Sequence, residues 1–316
     1  MFRMPTDDVF IFTEVVFCGI IGRVALQTFH KKHNRKVHIF GRKEDFEQLE
    51  EHPNNIYHPL DDEKEILAAF QGGHKGTSKV WTKAILECKE QYLIHFDSDV
   101  VFRGPAVDLL CQQLGEVDLV GPVRPYRNNP NKRDDVRFLP DVVGTYCFGF
   151  NKALIPIKEP HLLERFVENS LDMEVIAETR FKYPWYQYVP TIDYFDPVAF
   201  VMMQNQAKVR IIDIETMGGF AQDGTKNNSY GDLNKDCDFG HLIVHFASVG
   251  SGLNFLQKKN QGIPIQVPEW YVDYALGKLD LYLRLFYKRS FLPDDKSSFL
   301  HNESLMRKAF QEDGII

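Results

Sequence analysis

The segment with the most obvious chemical potential is Asp97-Ser98-Asp99, which follows the apolar run Tyr92–Phe96 without a break. In an extended chain the side chains of residues i and i+2 lie on the same side, so both carboxylates are expected to face one point. Two such charges about 4 Å apart repel by about 1 to 4 kcal/mol, depending on the local dielectric. A divalent cation converts that repulsion into binding. Oxygen ligands suit Mg2+ or Mn2+, ions that commonly share their coordination with substrate phosphates. A cation on a diphosphate acts as a Lewis acid and stabilises the charge that develops on a departing nucleotide. The plain alternative is an acidic turn capping a helix. The apolar strand before the pair and Val100-Val101-Phe102 after it weigh toward the metal.

His245 lies in the apolar run LIVHF, ahead of a glycine turn at 250–252. A histidine there is either a satisfied core residue or a ligand. As a ligand it favours Mn2+ over Mg2+. Asp193 and Asp196 lie in TIDYFDPVAF. Either carboxylate has the chemistry to deprotonate or position an acceptor hydroxyl, and Asp196 before Pro197 is equally a helix cap. The aromatic run at 183–188 (YPWYQY) suits stacking on sugar faces or packing at a sheet edge. The glycine-rich stretch 72–76 precedes a helix but lacks the spacing of a Walker loop.

These residues need a scaffold, and the chain spells one out. Strand-like residues 9–17 precede a helical pattern at 19–30. Strand candidates at 36–40 and 54–57 flank a helical stretch at 43–51. A helical face over 78–89 leads into the strand before Asp97. Such alternation predicts an α/β sandwich on a mostly parallel sheet, where ligands collect at the carboxyl ends of strands. Further strands are expected at 118–123, 144–150, 209–214 and 242–246, with a helix at 161–179. Residues 124–140 and 218–238 read as polar loops. Residues 270–289 are expected to be helical, and the acidic stretch after Pro293 to be a peripheral tail. The expected division is a catalytic domain over 1–262 and a helical C-terminal extension over 263–316.

The segment YLIHFDSDVVF resembles the metal-binding segment of GT-A fold, nucleotide-sugar-dependent glycosyltransferases: an apolar strand, the DxD motif, then an apolar pair. TSKVWTKAIL upstream resembles the helix before DxD in glycogenin-like and galactosyltransferase-like members. LIVHFASVGSG resembles the terminal segment that supplies their third metal ligand. The likeness spans about residues 9–255 and implies a GT-A-like Rossmann-type α/β/α fold. It also implies a UDP-sugar donor, Mn2+ (or Mg2+) and a glycan or other hydroxyl acceptor. Residue by residue, it places Asp97, Asp99 and His245 on the metal, and Asp97, Ser98 and Asp99 along the donor. Lys79, with Lys83 second, falls on its sugar or phosphate, Phe12 and Thr13 on its base, and Asp196 on the acceptor side, where Asp193 stays the second candidate from its own chemistry. TYCFGFNKALI at 145–155 falls on the strand lining the sugar pocket. Two departures stand out. Pro197 replaces a glutamine, and no Lys-Pro-Trp follows Ser248, leaving Ser251 or Lys258 for the phosphate. Retention and inversion both stay open.

Composition narrows the field. The chain has 316 residues, 44% apolar and 26% charged, with a net charge of −7. No Lys/Arg run is long enough to track a nucleic-acid backbone. Five scattered cysteines without a CxxC pair argue against a disulfide framework or a zinc site, and for a reducing, cytoplasmic setting. No apolar run reaches the roughly 18 to 20 residues that span a bilayer. A sugar-1-phosphate nucleotidyltransferase is the nearest enzyme alternative, but TEVVFCGIIGR lacks the basic, glycine-rich signature it needs. A DxDxT phosphatase needs Thr where Val101 stands. A nucleotide-sugar-binding module without turnover is the non-enzyme alternative.

Overall fold

The computed structural model describes residues 9–60, 64, 75–127, 136–144, 146–154, 207–212, 238–267, 269–293 and 300–316. The chain begins with β1 (Val9–Val15), α1 (Gly19–Lys32), β2 (Val37–Gly41), the short α2 (Lys43–Phe46) and β3 (Asn55–Pro59). Then come α3 (Lys75–Glu87), β4 (Tyr92–Phe96), β5 (Val100–Phe102) and α4 (Ala106–Gln113). They are followed by β6 (Leu119–Arg127), β7 (Val136–Val143), β8 (Cys147–Asn151) and β9 (Val209–Ile212). The described chain closes with β10 (Asp238–Phe239), β11 (Ile243–His245), α5 (Val249–Asn260), α6 (Glu269–Tyr287) and α7 (Leu300–Glu312).

Among the described residues the main sheet has eight strands in the order β3-β2-β1-β4-β8-β6-β7, with β9 also paired to β6. The first four pair in parallel, β8 runs against β4 and β6, β9 runs parallel to β6, and β7 opposes β6. The sheet is therefore mostly parallel, as expected. Its central strands are almost uniformly apolar because both faces are covered. Alternation along β1 and β4 sends Ile11, Val15, Ile94 and Phe96 to one face, where α1 and α4 supply Ala25, Phe29, Val107 and Leu110. Phe10, Phe12 and Leu93 go to the other face, against Val80, Trp81, Ala84 and Ile85 of α3. Helices on both faces complete the α/β/α sandwich.

A second sheet, β10-β11-β5, is antiparallel. It ties residues near 240 to the strand that follows Asp99. A third apolar cluster covers it, built from Ile21 and Val24 of α1, Val101, Val244, Leu279 and Tyr282 of α6, and Met306 and Phe310 of α7. The Tyr282 hydroxyl donates to the Ile21 carbonyl at 3.0 Å. Asp280, fully buried in α6, accepts from the Ser290 hydroxyl and the amides of Phe291 and Leu292, fastening the turn after the helix.

Three expectations need correction. Residues 124–140 are not one loop: β6 continues through Arg127 and pairs with β7 across a bulge at Val123/Arg124. Backbone pairing satisfies a strand whatever its side-chain polarity, and a bulge marks where the regular ladder breaks. The helix expected over 43–51 stops at Phe46. The stretch after Pro293 is not merely peripheral, because α7 turns Met306 and Phe310 into the core. The helix expected at 161–179 lies outside the described residues, and the loop expected at 218–238 does so almost entirely.

Two consequences are measurable. A Cβ on Gly252 would stand 2.3 Å from the Ala275 carbonyl, where α5 crosses α6. Gly252→Ala should therefore lower stability by about 1 to 3 kcal/mol, read from urea unfolding. His33 is enclosed by Phe29 and Phe102, with its Nδ1 3.4 Å from Asp108. Burial holds its imidazole down at about 4, with Arg35 and His30 adding and Asp108 opposing. An unfolded histidine titrates near 6.5, so between those values the unfolded chain takes up the proton and the folded chain does not. Stability should fall as pH drops from about 6.5 to 4, by up to about 3 kcal/mol from this residue. In His33→Gln that part of the slope should be missing from denaturation curves taken across the window.

Candidate metal centre

Strand β4 ends at Phe96, and the chain turns. The Asp97 amide donates to the Tyr146 carbonyl at 2.8 Å, and the Val100 amide returns to the Asp97 carbonyl at 3.2 Å. Asp97-Ser98-Asp99 is thus a turn at the carboxyl end of a central strand, not the extended segment expected. The carboxylates converge all the same. The pairing of β5 with β11 sets His245 opposite Val100, and the Phe246 amide donates to the Asp99 carbonyl at 3.0 Å. His245 Nε2 then lies 3.3 Å from Asp99 Oδ1 and 3.6 Å from Asp97 Oδ2. The Tyr146 ring stacks on His245 at 4.4 Å and 10°, fixing the imidazole plane.

Two carboxylate oxygens and one imidazole nitrogen, all within 4.8 Å of one another, form a donor set for a divalent ion. Cis ligands on a small divalent ion stand roughly 3 Å apart, close to the separations around His245. Electrostatics agree. Burial raises the Asp97 carboxyl far above the usual carboxylate range; His95 and His245 oppose the rise, and Asp99 and Glu14 add to it. A cation between these groups would offset what crowding costs.

The other expected residues divide. The Ser98 hydroxyl lies 3.3 Å from the thiol of Cys18, which joins the turn to the start of α1. Burial pushes that thiol up to about 12, so it stays protonated. Phe12 is completely buried, edge-on to Trp81 and Phe40. Its ring thus packs within the core beside the end of the strand expected to hold the base. Thr13 is buried too, and its hydroxyl has no hydrogen-bond partner among the described residues. Lys79 lies partly exposed on α3, next to the core residues Val80 and Trp81. Asp193 and Asp196 lie outside the described residues, as does the aromatic run 183–188.

Several residues around the turn were not anticipated. Glu14 is the one charge inside the apolar strand β1, and His95 sits two residues before Asp97 on β4; both were signals in the sequence. His95 Nε2 is 2.7 Å from Glu14 Oε2 and 3.8 Å from Asp97 Oδ1. Tyr146 had no signal of its own, only that of a segment expected to line the sugar pocket. Nor had Lys278, buried in α6, whose ammonium donates to the Ala247 carbonyl two residues past His245. Ser251 contacts the Tyr271 hydroxyl, and Lys258 lies in the last turn of α5. A cavity of about 830 Å³ beside α1, lined by Arg23, His52 and Tyr287 among others, shares no lining residue with the Asp97 cluster.

No family model matches this chain, and no curated protein matches it. Among solved structures, a galactosyltransferase LgtC in complex with donor and acceptor sugar analogs is similar at 12% identity and a TM-score of 0.43, covering 84% of this chain and 99% of that one. An active-site mutant of LgtC is similar at 12% identity and a TM-score of 0.42, over 83% and 98% of the respective chains. Likenesses this shallow say nothing about donor, metal or acceptor.

The crowding of carboxylates predicts an effect on stability. Asp97→Asn removes one charge from the cluster. Chelator-treated variant should melt about 2 to 4 °C above chelator-treated wild type, and should lose any stabilisation that Mn2+ gives the parent. Equal melting without metal would mean that the carboxylates do not strain the fold.

Proposed function

We propose that this chain is a divalent-metal-dependent glycosyltransferase, moving a sugar from a UDP-linked donor to a hydroxyl of a glycan or other acceptor. The observation that supports this most is the meeting of Asp97, Asp99 and His245 at the carboxyl end of a mostly parallel sheet. The sequence resemblance supplies the reaction class. Asp97, Asp99 and His245 would hold Mn2+, which the imidazole favours over Mg2+. The bound ion supplies Lewis acidity to the leaving diphosphate.

The protein's own groups do the rest. The Asp97 turn, tied to Tyr146, α1 and β11, presents its carboxylates without having to reorganise, and preorganised charge is what makes electrostatic catalysis effective. Ser98 lies along the donor, and Lys79 serves its sugar or phosphate. Phe12 and Thr13, near the end of β1, take the base side of the donor. Asp196 or Asp193 positions or deprotonates the acceptor hydroxyl. The reaction belongs to a reducing, cytoplasmic setting; the four described cysteines, Cys18, Cys88, Cys111 and Cys147, are free. Among the described residues no helix is long and apolar enough to cross a membrane.

The test is donor turnover. Purified protein with Mn2+ should bind UDP and slowly hydrolyse at least one UDP-sugar. Asp99→Ala should cut that rate about 100-fold or more. Tight UDP binding with no turnover of any sugar nucleotide would point to a binding module instead. No thermal stabilisation by any nucleotide or sugar nucleotide, with or without Mn2+, would remove the proposal.

A further inference from the structure

Resting on the metal reading above, we infer that Glu14 and His95 form a positioning pair that aims the Asp97 carboxylate at the metal. The argument begins with register. Strands β1 and β4 run parallel, with Phe12 paired to His95. Beyond that pair, Glu14 lies on β1 and Asp97 in the turn after β4, and their carboxylates come within 4.8 Å of each other. Like charges this close repel, and here one of them belongs to the donor set. The His95 imidazole stands between them, 2.7 Å from Glu14 and 3.8 Å from Asp97.

That ring has no room to move. His95 is completely buried. Phe12 lies 5.0 Å away, Trp81 4.5 Å and Phe148 6.2 Å, centroid to centroid. The Glu14 contact fixes the rotation of the ring within this cage. Asp97 therefore hangs between two imidazoles: Oδ1 faces His95, which the core immobilises, and Oδ2 faces His245, which belongs to the donor set. The fixed His95 ring stands 3.8 Å from Oδ1, too far to bond it, and limits where that oxygen can swing while Oδ2 stays toward His245, as groups behind metal ligands commonly do.

The triad Glu14, His95 and Asp97 is also compact enough to be considered as a second ion site. Its geometry favours positioning. The facing atoms of Glu14 and His95 already bond at 2.7 Å, and an ion would have to break that bond and shift a caged ring.

The experiment measures Mn2+ affinity and stoichiometry on the full chain by titration calorimetry. The EPR spectrum of the bound ion reports its ligand geometry, and melting in chelator checks folding. Wild type should bind one ion. His95→Phe and Glu14→Ala should each weaken binding about 10- to 100-fold and alter the EPR spectrum. Glu14→Gln, whose amide oxygen still accepts from His95, should recover most of the affinity. Glu14→Ala carries the test if His95→Phe fails to fold. Folded variants that bind Mn2+ as tightly as wild type overturn the inference and leave the metal reading intact. So does a wild-type stoichiometry of two that falls to one in Glu14→Gln, because Glu14 is then a ligand. Wild type that binds no Mn2+ removes inference and metal reading together.

Discussion

The three-residue antiparallel pairing of β5 with β11 is the constraint on which the candidate site rests. Asp99 and His245 are far apart in the chain, and no local preference brings them together. β5 begins directly after Asp99, so its first residue, Val100, fixes which residue of the partner strand lies beside the carboxylate. That residue is His245. Slipping the register by one would turn the imidazole to the other face, because side chains alternate along a strand. The outer cluster of α1, α6 and α7 covers Val101 and Val244 of this pair. Helices that supply none of the proposed ligands thereby help to hold the ligand geometry.

The turn at Asp97 joins two kinds of order. Behind it lies the parallel sheet, whose apolar strands form a stiff platform packed on both faces. In front lies a small sheet made from segments distant in sequence. Crowded carboxylates are tolerated at the junction because several anchors share the load: the Asp97 amide on Tyr146, Val100 on the Asp97 carbonyl, and Phe246 on Asp99. Burial raises the Asp97 carboxyl, with Asp99 and Glu14 adding to the rise, so holding a charge there costs stability before any ion arrives. The same burial that costs stability strengthens the hold on a cation.

Two histidines divide the work around Asp97 in different ways. His245 has its ring face against Tyr146 and its Nε2 toward the carboxylates. His95 is enclosed by aromatic rings and spends its Nε2 on Glu14. Position on the sheet accounts for the difference: one sits at the end of a short strand beside the turn, the other within the central strand. Similar residue types take different roles because their surroundings differ.

Composition and pattern alone made the strand–helix alternation, the mostly parallel sheet and the chemical promise of Asp97 and Asp99 readable. These are local properties, carried by apolar periodicity and by two acids placed after an apolar run. His245 was readable as a candidate through its motif, but its distance to the carboxylates was not, since that depends on the register of a pairing between distant segments. The extent of β6 and β7 through a polar, proline-containing stretch was hidden because backbone pairing, rather than side-chain pattern, makes those strands. That the Phe12 ring packs against Trp81 and Phe40 could not be read from the sequence, because an aromatic residue on a strand can face either way until the packing is known. Glu14, His95 and Lys278 stood in plain view but carried no meaning until the fold set them beside the turn. Tertiary structure decides such roles because burial, register and distance arise only when segments remote in the chain pack together.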